Sequence, residues 1–136
     1  MSKITDLSRQ EQGQAIIQVS ISLLVILAFV ALAVDFGRVY GERRSLQNAA
    51  DAAALAGARD LCQGKSADVA RATARQILID NGVAAANING LADILVTGNT
   101  VDVKARHPGM DAAVGQIVAW ANIDVGAEAA AACGAA

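Results

Sequence analysis

The chain is short of several things at once. Aromatic residues make up 3% of its 136 positions, and it has one proline, Pro108, and one histidine, His107. So few rings exclude a core built on large aromatic side chains. The 54% hydrophobic content comes from Ala, Val, Leu and Ile, which suits close helix packing. A formal charge of −2 supplies no polyanion-binding surface, so nucleic acid is not an expected partner. Catalytic signatures are missing as well: there is no GxSxG, HExxH, P-loop or dinucleotide fingerprint. His107 sits in a turn beside Pro108 and reads as a solvated loop residue. Asp80, Asp93, Asp102, Asp111 and Asp124 stand singly and read as solvating surface charge. Neither VTGNT nor NING has the carboxylates a calcium loop needs, and two cysteines with one distant histidine do not make a zinc site. No enzyme activity, cofactor or metal is expected.

What is there is one long apolar stretch. Residues 13–34, GQAIIQVSISLLVILAFVALAV, carry no charge and read as a single helix. At about 1.5 Å rise per residue it reaches roughly the 30 Å of a bilayer's hydrocarbon core. From Asp35 the sequence turns charged and then Ala-rich, with no helix breaker before Gly64. The apolar and Ala-rich parts are therefore expected to form one helix over residues 14–62, on the order of 70 Å long. That leaves residues 63–136 for one small α/β head, which needs support from the helix, a disulfide or neighbouring copies.

Residues 1–13 are expected to be a polar leader, not a fold element. The apolar run is too long for a secretory signal and flows directly into helix. A processing point lies in front of it instead, at Gly13–Gln14. A short charged leader ending in Gly before a hydrophobic helix is what prepilin-type peptidases recognise. Gln18 occupies the position where those substrates usually carry Glu; it keeps hydrogen-bonding capacity and loses the charge. Lys3 and Arg9 before the span, against Arg38, Arg43 and Arg44 after it, barely discriminate by the positive-inside rule. The N-terminus is placed inside because so short a leader is no exported domain, and because both cysteines lie beyond the span. In an oxidising compartment, a Cys62–Cys133 bridge would tie the tail to the helix and contribute roughly 4 kcal/mol by loop closure; the other reading is two unpaired thiols.

Gly37 and Gly41 form a GxxxG spacing that either lets another helix approach or arises by chance. Ala49, Ala52, Ala53 and Ala56 extend the small-residue surface, with Leu46 and Leu55 as the few large contacts. Asp35 and Arg38 are a candidate charge pair, between copies in an apolar setting or as i,i+3 neighbours at the interface.

In the head, Ser66 opens a helix, ADVARATARQILID, closed by Asn81-Gly82, with Val69, Thr73, Ile77 and Ala70 as its apolar face. Val83 to Leu91 reads as loop or turn. Strands are expected over residues 92–96 and 100–106, joined by Thr97-Gly98-Asn99, with His107-Pro108-Gly109 breaking the second. A short helix follows over residues 110–120, then a strand over 121–132, although by propensity the terminal AEAAAACGAA is equally compatible with helix. The fold class is α+β: a long N-terminal helix, a small antiparallel sheet and short helices.

Residues 13–62 also resemble the N-terminal domain of the Tad-like (TadG/TadE-like) Flp pilus-assembly family. The likeness runs from Gly13-Gln14 through Asp35, Gly37, Arg38 and Tyr40 to the segment LQNAADAAALAGA, residues 46–58. It implies a pilin-like, membrane-anchored component of a bacterial pilus or secretion apparatus. Its partners would be copies of itself in a homopolymeric filament, membrane lipid before assembly, and other pilus-assembly components. Two departures bear on this. Residues 22–29 hold no proline where family members often have one, so the kink it would permit is not expected. The head is one small module where long members carry a large domain, which makes the chain look more like a pilin or minor pilin than an assembly factor. The implied location is the bacterial inner membrane with a cytoplasmic N-terminus, and the cell surface once assembled.

Overall fold

Gly64 and Gly82 end two helices by the same device. The structure, a computed structural model, describes residues 3–111 and 122–134. Helix α1 runs Lys3–Cys62 and α2 runs Ala67–Asp80. After each, a glycine takes a left-handed backbone, φ 74° at Gly64 and 91° at Gly82. The next residue then donates its N–H back into the helix, Lys65 to the Asp60 carbonyl at 3.1 Å and Val83 to the Leu78 carbonyl at 3.0 Å. The glycine N–H groups reach the carbonyls of Leu61 and Ile79, both at 2.9 Å. These are Schellman closures, and in the second Val83 and Leu78 are both buried, supplying the apolar contact that usually goes with it. Ser66 caps the start of α2, its hydroxyl accepting from the Val69 N–H at 3.4 Å.

Helix α1 begins at Lys3, so the polar segment read as lying outside the fold elements has helical backbone. Nothing in KITDLSRQEQ breaks a helix. At 60 residues α1 is about 90 Å long.

A 3-10 turn, Ala85–Asn87, and a one-turn helix α3, Gly90–Asp93, lead into three strands: β1 Ile94–Thr97, β2 Thr100–Asp111 and β3 Asn122–Ala132. They form an antiparallel sheet in the order β1-β2-β3, with Ile94 opposite Val103 and Lys104 opposite Glu128. The fold class is thus α+β with a long N-terminal helix and a small antiparallel sheet. Gly98, at φ 58°, turns the β1–β2 hairpin.

Local expectations fail in four places. The first strand starts at Ile94, because Ala92 and Asp93 belong to α3. The second does not stop at His107-Pro108-Gly109 but continues to Asp111, with a register shift between His107 and Met110. A bulge is where a central strand tolerates a proline, which has no N–H to give. Gly109 takes φ 70° there and donates its N–H to the Asp124 carboxylate at 3.0 Å. The third concerns α2, which buries Ala70, Ala74 and Leu78 and leaves Val69 exposed, a face rotated by one residue from the expected one. Small residues win that face because α2 lies close on the Ala-rich part of α1. The fourth is Leu55, expected as a packing contact and 65% exposed, whereas Leu46 is buried. The helix expected over residues 110–120 falls mostly outside the described residues; Met110 and Asp111 are strand.

The core is shared by all three layers. α1 contributes Leu46, Ala49, Ala50, Ala53, Ala54 and Ala58, and facing them are Leu78 of α2 and Val101, Val103, Val125 and Ala127 of the sheet. Full burial of a side chain such as Leu78 is worth about 1.5–3 kcal/mol. Alanines contribute less each but set the spacing between layers. Gly57 is the most crowded of the described glycines: a Cβ there would lie 3.1 Å from Val101 Cγ1 and 3.2 Å from the Ala70 carbonyl oxygen.

Candidate functional site

With no constellation of catalytic type in the sequence, the functional surface has to be read from what α1 exposes. From residue 13 to residue 34 nearly every side chain is exposed, including Ile16, Leu24, Phe29 and Leu32. The helix is long and apolar enough there to cross a membrane by length and composition. Its two hydroxyls are satisfied within the helix. Ser20 donates to the Ile16 carbonyl at 2.8 Å and Ser22 to the Gln18 carbonyl at 2.9 Å, as hydroxyls in an apolar surrounding require. Gly13 and Gln18 lie exposed along this stretch, with open space around the Gly13 Cα.

The pattern changes at Asp35. From there one stripe of the helix turns inward, through Asp35, Val39, Glu42, Leu46, Ala49 and Ala53, at alternating spacings of four and three. Asp35 is buried while Val34 and Phe36 on either side are exposed, and Arg38 is exposed. The head therefore lies along α1 from the end of the apolar segment to the helix C-terminus. Of the expected packing positions, Ala49 and Ala53 are buried against the chain's own head, Ala52 and Ala56 are half-buried, and Gly37 and Gly41 are exposed with open space beside them.

Three rungs fix the sheet lengthwise on the helix. At the top Cys62 and Cys133 are joined by a disulfide, with Cα atoms 5.3 Å apart. Beside it Cys133 donates its N–H to the Asn99 carbonyl at 2.8 Å, which pins the end of β3 to the β1–β2 turn. Midway, Gln47 Nε2 donates to the Glu128 carbonyl at 3.1 Å. Lower down, His107 Nδ1 meets Glu42 Oε1 at 2.8 Å. His107 is thus exposed, as expected, but is a strand residue reaching the helix and not a loop residue. Its signal was absent locally, because Glu42 lies 65 positions away.

Two buried acidic groups brace the head, and one of them, Asp93, departs from its sequence reading. Asp93 was read as surface charge, yet it is 1% exposed; it accepts the Asn89 N–H at 2.7 Å and pairs with Arg106 Nη2 at 2.8 Å. One oxygen closes the α3 turn and the other ties that turn to β2. Asp60, at the end of α1, is buried between Lys65 Nζ at 2.7 Å and Thr73 Oγ1 at 2.6 Å. The hydrogen bond from Lys65, then that from Thr73, holds its carboxyl below the usual carboxylate range. Both are joints of the head.

Residues 13–60 match the family model Tad, Flp pilus-assembly TadE/G-like. No curated protein and no solved structure matches the chain. The match covers the exposed apolar segment, the junction at Asp35 and most of the inward stripe. It supports a pilus-related role, structural or in assembly, and with it interaction with other pilus components. The apolar helix is compatible with membrane association.

Proposed function

We propose that the protein is a pilin-like structural subunit, a pilin or minor pilin, of a Tad/Flp-type pilus or a related extracellular filament. In this reading the precursor sits in the bacterial inner membrane through residues 13–34, with its N-terminus cytoplasmic. It is then extracted and polymerises through that helix. The observation that carries the reading is the exposure of the apolar segment on all sides. Thirteen large hydrophobic side chains from Ile16 to Val34 are exposed. At about 1.5 kcal/mol or more for each, leaving them in water costs on the order of 20 kcal/mol, beyond what a small domain's stability can offset. Lipid covers that surface, and so do the same helices of neighbouring copies, which is what lets one segment serve both storage and assembly. Cleavage at Gly13–Gln14 and lateral packing at Gly37 and Gly41 belong to this reading.

The TadE/G-like family description favours a second reading, a single-pass inner-membrane factor that keeps its helix in lipid and tethers pilus components through its head. Shearing cells and comparing the released material with detergent-extracted membranes separates the two. A filament subunit is a repeating component of the sheared fraction, and exclusive retention in membranes overturns the filament reading. Mass spectrometry of the native N-terminus adds an independent readout: a start at Gln14 supports the prepilin route, and an intact Met1 argues against it.

A further inference from the structure

The cations of the head are mostly spoken for. Lys65, Arg71, Lys104 and Arg106 each pair with a carboxylate of the chain, at 2.7, 2.7, 3.1 and 2.8 Å. Arg59 and Arg75 are exposed and make no ion pair with a described residue, but each stands singly; Arg38, Arg43 and Arg44 do not. All three are exposed, none makes an ion pair with a described residue, and they crowd into seven positions directly beyond the apolar segment. Of the neighbouring acidic groups, Glu42 meets His107 and Asp35 is buried, and neither forms an ion pair with the three arginines. Two large aromatics share the same turns, Phe36 at 68% and Tyr40 at 72% exposure. Phe36, Tyr40 and Arg43 fall at i, i+4 and i+7, on one helix face.

We infer that residues 36–44 form a headgroup-binding collar for anionic phospholipid in the leaflet on the head's side of the membrane. The inference rests on the reading that residues 13–34 span the bilayer. If they do, the collar stands at the depth of the lipid phosphates, whose layer lies just outside the roughly 30 Å hydrocarbon core. Exposed aromatics one turn above the apolar segment suit that depth, with apolar ring faces toward the acyl boundary and the Tyr40 hydroxyl toward water. Arginine adds planar bidentate recognition of phosphate, and its long stem lets Arg43 and Arg44 bend down to the headgroups from the next turn. The head covers the Asp35–Val39–Glu42 flank, so lipid reaches the collar from the remaining sides. The collar thereby sets how deep the helix sits and gives the precursor a preference for anionic lipid.

The test uses the full chain reconstituted in phosphatidylcholine vesicles doped with spin-labelled lipid. Electron paramagnetic resonance then measures the motionally restricted fraction for labelled phosphatidylglycerol and for labelled phosphatidylcholine. A several-fold preference for phosphatidylglycerol is expected, weakening as salt is raised. It should fall to parity in the triple variant R38Q/R43Q/R44Q and survive in R38K/R43K/R44K. Restricted lipid without headgroup preference, or a preference that the Gln variant retains, overturns the collar and leaves the span standing. No restricted lipid of either kind overturns the span and the collar together.

Discussion

Gly57 and Gly41 lie on the same helix, and replacing either by alanine gains the same backbone entropy, about 0.5–1 kcal/mol for a helix interior. What differs is the space the new methyl meets. At Gly41 the added Cβ meets no other part of the described residues within 4 Å, whereas at Gly57 it has Val101 Cγ1 at 3.1 Å, Val101 Cγ2 at 3.3 Å and the Ala70 carbonyl oxygen at 3.2 Å. A rotation of Val101 moves one methyl away and leaves the other, and the Ala70 carbonyl is part of α2's backbone, so relief requires the helices to part. Overpacking of that kind costs about 1–3 kcal/mol. Because the propensity gain is common to both variants, their difference isolates the packing cost. Gly57→Ala should be less stable than Gly41→Ala by about 1–3 kcal/mol. Hydrogen exchange of the β2 amides, followed by mass spectrometry of the full chain in detergent, reads this directly at about tenfold in protection per 1.4 kcal/mol. Equal protection in the two variants would refute the claim that Gly57 is the close-approach point of the three layers.

The Asp93–Arg106 pair should be asymmetric. Arg106→Ala strands a buried carboxylate and should cost about 3–5 kcal/mol, while Asp93→Ala leaves a half-exposed guanidinium that water can solvate and should cost nearer 1.5–3, both measurable by the same exchange. Removing the disulfide with Cys62→Ser and Cys133→Ser opens a loop of sequence separation 71 and should lower stability by about 4 kcal/mol, with protection lost first in β3. Asp60 has a folded-state pKa below its ordinary value, so its contribution is complete above about pH 4 and is lost as the pH falls through the folded value. An acid titration of head unfolding should therefore be shallower in Asp60→Asn than in the parent chain.

Much of this architecture was legible because it depends on local chemistry. Gly64 and Gly82 announce helix ends, Ser66 a helix start, and the uncharged run of residues 13–34 its own length and exposure. Two alternations of apolar residues around Gly98-Asn99 announce a hairpin. What was not legible depends on partners far away in the chain. The buried face of α2 is chosen by the alanines of α1, so Ala70, Ala74 and Leu78 outrank the bulkier Val69. Asp93 looks like any isolated surface carboxylate until Arg106 and the Asn89 N–H are brought to it. Pro108 is a reliable strand breaker except at a bulge, and the bulge depends on Asp124 across the sheet. Gly57 sits in a run of small residues where nothing local distinguishes it from its neighbours.

The lengthwise attachment of the sheet has a mechanical consequence. With β2 and β3 laid along α1 and fastened near Cys62, tension drawn along the rod loads the strand hydrogen bonds side by side, in shear, and not one after another as in peeling. The covalent clasp sits at the end farthest from the greasy segment. A tug on the tail beyond Cys133 passes through that clasp into the shaft at Cys62 and bypasses the last strand, so the protein is suited to carry load without unravelling from its tail.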